Sequence, residues 1–415
     1  MLNPKELKKY LSEFTLDDLK TNSDKIKTVI DYFEFGGEQI PRFINEFWTS
    51  KQRQNNPIHE ISYRACFKAE LPRFFIKLLT KETDVIYDPF AGRGTTIIEA
   101  ALLNRKIIAN DINPLSTILS KPRLFIPSYE DVEKRLDEIK FRSNVKANID
   151  LSMFYHPDTE SEIVSLRNYL IRRKKNEEED LIDSWIRMVA TNRLTGHSKN
   201  FFSVYTLPPN QAVTQKRQKR INEQRKQTPS YKNVKKIILK KTRDLTSGLN
   251  INLIEQLKKI GSKAKFLNND ARYTSEIKKN SVALTVTSPP FLDIVNYNDD
   301  NWLRCWFNNI NVKAVIPKIT ISRKLEDWEK IMEEVFDELY RITKKDGYVA
   351  FEVGEVRKGM VKLDEHVVPL GIKAGFECQG VVINLQNFTK TANIWGISNN
   401  AVGTNTNRIA LFRKV

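Results

Sequence analysis

Three short clusters hold residues able to do chemistry. The first is Asp88-Pro89-Phe90-Ala91-Gly92-Arg93-Gly94-Thr95-Thr96, between the apolar run VIY and the helix-forming run TTIIEAALL. Two glycines at a strand-to-helix turn let backbone approach a ligand closely and present amides at a helix N-terminus. A dinucleotide fingerprint needs a third glycine where Ile97 stands, and an acidic residue in the turn repels phosphate, so pyrophosphate is disfavoured. Asp88 suits a cationic ligand instead, with the ammonium and sulfonium of S-adenosylmethionine as the fitting case. The alternative is a loop aspartate that caps the following helix. The second cluster ends the run RKIIAN in Asp111, about twenty residues beyond the glycine turn, where a carboxylate accepts hydrogen bonds from ribose hydroxyls. A turn residue before Pro114 is the alternative there. Further on, Asn268-Asn269-Asp270 follows AKFL and offers a short polar side chain to an adenine amino group.

The third cluster, Thr287-Ser288-Pro289-Pro290-Phe291, follows the apolar run VALTV. Proline has no amide proton and a fixed φ, so Ser-Pro-Pro cannot extend a sheet ladder and exposes carbonyls in a stiff loop. The Ser288 hydroxyl and the Pro289 carbonyl together can accept both protons of an amino group and hold its nitrogen in line with a methyl-sulfonium. Phe291 is placed to stack on a base. A structural turn is the bland alternative. Downstream, Tyr297, Asn301 and Trp302 are candidates to wall a base pocket, against helix packing for Trp302, Trp306 and Phe307.

The segments DPFAGRGTT, NDINP and TSPPF resemble the cofactor and catalytic motifs of S-adenosylmethionine-dependent DNA amino-methyltransferases, and a serine before Pro-Pro resembles their N4-cytosine group. The segment Ile58 to Leu79 resembles the one that packs over the cofactor's methionine end. The resemblance covers about half of the chain and implies S-adenosylmethionine as cofactor. It implies a cofactor set of Phe67, Asp88, Pro89, Phe90, Gly92, Gly94, Thr95, Asp111, Ile112 and Asp270, and a catalytic set of Ser288, Pro289, Pro290 and Phe291. The cofactor motif precedes the catalytic motif, whereas many N4-cytosine enzymes have the reverse order. That arrangement is similar to the class whose target-recognition region lies between the two. What it implies is base flipping and direct transfer to the N4 amino group of cytosine in double-stranded DNA, with a cognate restriction endonuclease as a candidate partner. N6-adenine methylation, an RNA substrate and a catalytically silent DNA-binding subunit are the competing readings. C5-cytosine methylation needs a cysteine after proline, and Cys378 follows Glu377.

These residues need elements to hold them. Alternation of helical and apolar extended runs predicts an α/β fold: a doubly wound Rossmann-like sheet, a C-terminal antiparallel hairpin on its edge from ECQGVVINLQ and TNRIALFRKV, and a mainly helical insertion. The division expected is a helical segment over 1–57, with Leu7, Tyr10, Leu11 and Phe14 at helical spacing; catalytic domain over 58–126 and 263–415; and the insertion over 127–262. The long helix EDWEKIMEEVFDELYRIT is expected to close at KKDG.

Composition narrows the partner. With 68 Lys and Arg against 51 Asp and Glu, the 415-residue chain carries +17, which favours a polyanion, although a compositionally biased genome also produces such a surplus. Basic residues concentrate from Gln215 to Arg243 around a single acid, Glu223, and Lys216, Arg217, Lys219 and Arg220 are the predicted phosphate contacts. Three distant cysteines suggest neither disulfides nor a metal site. The lack of a long apolar run predicts a cytoplasmic protein, and the resemblance implies a prokaryotic or phage origin.

Overall fold

A computed structural model of the protein describes residues 2–15, 27–48, 56–63, 66–207, 212–290, 297–315, 324–357, 360–385 and 406–415. Its strands are β1 (Val29–Phe35), β2 (Glu38–Asn45), β3 (Val85–Asp88), β4 (Lys106–Asn110), β5 (Lys265–Leu267), β6 (Val282–Thr287), β7 (Thr343–Val353), β8 (Glu355–Val356), β9 (Val361–Lys362), β10 (Glu377–Leu385) and β11 (Thr406–Arg413). Nine of them form one sheet in the order β1-β2-β10-β11-β7-β6-β3-β4-β5, while β8 and β9 pair separately. From β7 to β5 every neighbour is parallel. The carboxyl ends of β3, β4 and β6 therefore open on the same side, where the three motifs sit.

Helices cover both faces, as the doubly wound expectation requires. On one side Glu70–Leu79 and Thr95–Leu102 pack into a continuous core that also holds Trp185, Phe154 and Val234 of the inserted region. On the other, Leu325–Ile342 and Leu363–Lys373 contribute Trp328, Phe336 and Val367 to a second core with Phe351 and Phe412. Among the described residues, the stretch 127–262 forms six helices: Tyr129–Glu138, Pro157–Lys175, Leu181–Arg193, Gln215–Arg225, Val234–Thr246 and Ile251–Gly261. Most start on a side-chain cap, with Ser128, Asp180, Thr214, Asn233 and Asn250 each accepting from a backbone amide three residues on.

Three expectations need correction. Helix in the first segment is confined among the described residues to Pro4–Ser12 and a short turn at Pro57–His59. Val29–Asn45 is instead an antiparallel hairpin, because Val-Ile-Asp-Tyr-Phe-Glu-Phe favours a pleated surface and Gly36-Gly37, at φ +61° and +80°, supplies the left-handed two-residue turn. The C-terminal hairpin β10–β11 exists but lies inside the sheet: β11 pairs with β7, and β10 takes β2 as a parallel neighbour, so the edge belongs to the N-terminal hairpin. Finally, Lys344-Lys345-Asp346-Gly347 is no loop after the long helix but part of β7, with Asp346 at φ +61°.

Candidate active site

The cofactor turn is built where β3 delivers Asp88 into a fully buried position. Its Oδ1 accepts from the Thr287 hydroxyl at 2.7 Å and from the Phe90 amide at 3.1 Å. The bond from Thr287 ties the first motif directly to the third. Burial pushes the Asp88 carboxyl up to about 7, against the pull of those hydrogen bonds. Gly92 at φ +50° and Gly94 at φ +79° make the turn, and a Cβ on Gly94 would sit 2.5 Å from that of Ser120. Glycine is thus required at Gly94 both for its conformation and for the approach of the next helix.

At the end of β4, the two carboxylate oxygens of Asp111 accept from the Gly92 amide at 2.7 Å and the Asn113 amide at 2.9 Å. Each oxygen keeps a second lone pair for a ligand hydroxyl. Burial raises this carboxyl to about 6. Asp270, after β5, grips Arg272 through both oxygens at 3.0 and 2.8 Å; burial pushes its carboxyl up, but the arginine outweighs it and holds the group below its usual range.

A strap of largely non-regular backbone, residues 58–63 and 66–68, closes the side. Arg93 holds it by donating to the Ile61 carbonyl at 2.8 Å and the Phe67 carbonyl at 3.4 Å. Buried Arg123 donates to the Ile58 carbonyl at 3.2 Å and also bonds the Arg93 carbonyl. Both arginines anchor backbone, so the turn and the strap behave as one wall.

Between these parts lies a cleft whose empty space, open to solvent at its mouth, is about 880 Å³. It is lined by Phe67, Asp88, Pro89, Phe90, Gly92, Thr95, Asp111, Ile112 and Asp270 of the expected cofactor set and by Ser288 and Pro290 of the expected catalytic set. Gly94 and Pro289 are not among its lining residues; Gly94 packs on Ser120 instead. Phe291 lies outside the described residues. Three carboxylates among apolar walls suit a ligand with positive charge, a ribose and a flat apolar ring. The donor set therefore fits S-adenosylmethionine.

The Ser288-Pro289-Pro290 loop is anchored at its far end by Trp328, whose Nε1 donates to the Pro290 carbonyl at 2.9 Å. At its near end Ser288 stands beside the buried carboxyl of Glu352 on β7, to which Asn407 on β11 donates at 2.8 Å. Burial nonetheless raises Glu352 to about 7. Sequence reading missed Glu352, although an acid inside the apolar run VAFEVG was the available signal. It also left Tyr63, Cys66 and Arg93 out of the cofactor set, although they line the cleft, as does Asn269 of the cluster Asn268-Asn269-Asp270.

Trp302, Trp306 and Phe307 are packing residues: Trp302 Nε1 donates to the Val213 carbonyl at 3.2 Å, Trp306 Nε1 to Asn148 at 2.8 Å, and Phe307 is fully buried. The side chain of Tyr297 lies outside the described ones. Lys216, Arg217, Lys219 and Arg220 stand on the helix Gln215–Arg225 and line no part of the cleft; Lys219 pairs with Asp150 at 3.5 Å.

Residues 5–117 match the family model described as DNA methylase. They are similar to a DNA methylase segment. The matched segment brings the strap, the glycine turn and Asp111 within one stretch. A Type II methyltransferase, M.BsoBI of Geobacillus stearothermophilus, is 33% identical over 106 residues, covering 25% of this chain and 21% of that protein. Another, M.MvaI of Kocuria varians, is 25% identical over 270 residues, covering 56% of this chain and 52% of that protein. The chain thus spans about a fifth and about half of the length of these curated relatives. A solved structure from Thermus thermophilus, described as a DNA modification methylase, is 21% identical over 35% of this chain and 50% of its own, with a TM-score of 0.22.

Proposed function

We propose that the protein transfers the methyl group of S-adenosylmethionine to the N4 amino group of cytosine in double-stranded DNA. The observation that carries this reading is that Ser288 lines the same cleft as Asp88 and Asp111 of the matched segment, with the buried Glu352 carboxyl beside it. Asp88, Asp111 and Asp270 would hold the cofactor, whose chemistry when bound is to supply a sulfonium-activated methyl group. The protein's own residues do the rest. Ser288 accepts a hydrogen bond from one amine N–H and orients the nitrogen lone pair toward the donor. Phe67, Phe90, Ile112 and Pro290 exclude water, which strengthens each of these contacts. No covalent intermediate on the enzyme is needed. A cleft at the strand ends cannot reach an amine inside a duplex, so the target base must leave the stack.

The inserted region supplies the DNA grip in this reading, with Lys216, Arg217, Lys219 and Arg220 on phosphates. The names of the Type II relatives support a place in a restriction-modification system, with an endonuclease of the same target as partner.

Tritiated methyl transfer to mixed-sequence duplex DNA and to total RNA, followed by nucleoside mass spectrometry, tests the proposal. N4-methyldeoxycytidine is the expected product. N6-methyldeoxyadenosine would keep the positioning chemistry and overturn the cytosine assignment made from Ser288. Label in RNA alone would replace the substrate, and label in neither would leave a silent binding subunit.

A further inference from the structure

The helix Tyr297–Phe307 follows the catalytic loop in the chain and is gripped by the inserted region along its length. Ala212 donates its amide to the Asp300 carbonyl at 3.1 Å, and Arg167 reaches the Trp306 carbonyl at 2.9 Å. Just past the helix, Asn308 donates to the Thr191 hydroxyl at 2.9 Å. Toward the strap, buried Arg304 donates to the Ser62 carbonyl at 2.9 Å, and its guanidinium carbon stands 5.7 Å from the ring centroid of Tyr63. Tyr63 lines the cofactor cleft.

The same strap residue is held a second time. Asn192, in the inserted helix Leu181–Arg193, accepts the Ser62 amide at 2.8 Å and donates to the Glu60 carbonyl at 3.2 Å. Both backbone groups of Ser62 are therefore bonded by side chains from outside the matched segment. Non-regular backbone has no ladder to fix it, so its position follows the side chains that satisfy it. A planar guanidinium with several donors transmits a shift of its helix more rigidly than a single flexible charge would.

From this geometry, and resting on the functional reading above, we infer that Arg304 is a positioning residue that links the Tyr63 wall of the cofactor cleft to the inserted region, so that DNA engagement and cofactor binding reinforce each other. Linkage makes the effect reciprocal: whatever factor DNA adds to cofactor affinity, cofactor adds to DNA affinity.

The test uses the full chain, S-adenosylhomocysteine as an unreactive cofactor probe, and a mixed-sequence duplex. Calorimetric affinity for the probe is measured with and without duplex. In the unaltered protein the duplex should tighten probe binding about 5-fold or more. Arg304→Met should bind duplex alone normally and lose that factor, while Arg304→Lys, which can still donate to the Ser62 carbonyl, should recover part of it. A folded Arg304→Met with full coupling overturns the inference, as does unaltered protein that binds both ligands independently. Should Arg304→Met fail to fold, Asn192→Ala carries the decision: a reduced factor sustains the link and an unchanged one defeats it. Unaltered protein that binds no probe would sink the functional reading itself, an outcome distinct from the others.

Discussion

The cleft and the helix Gln215–Arg225 both concentrate charge, but in opposite physical states. In the cleft, Asp88 and Asp111 sit on two strand ends, held by amides and a hydroxyl and lifted by burial to about 7 and 6. On the helix, Lys216, Arg217, Lys219 and Arg220 stand toward water around a buried Gln218, and the ion pair of Lys219 with Asp150 is a surface one. Preorganised charge in a low dielectric discriminates small ligands by shape, whereas solvated charge attracts any polyanion and yields to salt. One region is fitted to choose, the other to attract.

The sharpest way to break that contrast is at the reacting end of the cleft. Ser288→Ala should slow methyl transfer by about 100-fold or more while leaving S-adenosylmethionine affinity unchanged, checked by single-turnover kinetics beside calorimetry. Equal losses in both would make Ser288 a binding residue.

Next comes the buried charge itself. Asp88→Asn should weaken cofactor binding about 10- to 100-fold at pH 8, since an ion-paired buried carboxylate is lost. The pH dependence follows from the raised values. Ligand affinity should climb from pH 5 to pH 8 as Asp88 and Asp111 ionise. Stability of the ligand-free protein runs the other way: a carboxyl whose folded value exceeds its unfolded one is best tolerated when protonated, so stability falls as pH rises from about 4 through 7. Asp88→Asn should therefore raise the melting temperature relative to the unaltered protein more at pH 8 than at pH 5. A pH-independent difference would mean that Asp88 is not the group titrating.

Gly94→Ala should cost about 2 kcal/mol of folding stability, from left-handed strain and the Ser120 contact, read as a shift in the denaturant midpoint. The smallest effect at any one salt concentration belongs to the helix. Replacing Lys216, Arg217, Lys219 and Arg220 with alanine should reduce the slope of log affinity for DNA against log salt by about 3, with cofactor binding untouched. An unaltered slope would relocate the phosphate contact.

How much of this was legible depends on the range of the interaction involved. Turn chemistry is local, so the strand-to-turn steps at Asp88, Asp111 and Ser288 could be read directly, and most of the residues expected there line one cleft. The hairpin Val29–Asn45 was legible too: Gly36-Gly37 between two aromatic and β-branched runs is its signature, but the helical spacing of Leu7 to Phe14 was extended too far. The helix Leu363–Lys373 was hidden by Pro369 in its interior. Sheet order was not legible, because which strand lies beside β10 is decided by partners hundreds of residues away. The same holds for the approach of Ser288 to Glu352 and for the arginines that hold the strap.

The parallel pairing of β2 with β10 joins Arg42–Asn45 to Val381–Asn384. During synthesis the first of these strands must wait while more than three hundred further residues are made, as must β3, which pairs with β6 across a gap of about two hundred. Contacts so distant in the chain fold slowly and leave strand edges bare in the meantime. The hairpin Val29–Asn45 can close on itself early, yet Val29, Ile30 and Tyr32 stay exposed along it. This protein should therefore be most vulnerable to aggregation while it is still on the ribosome, and slower translation or a holding chaperone should raise its soluble yield more than added cofactor does.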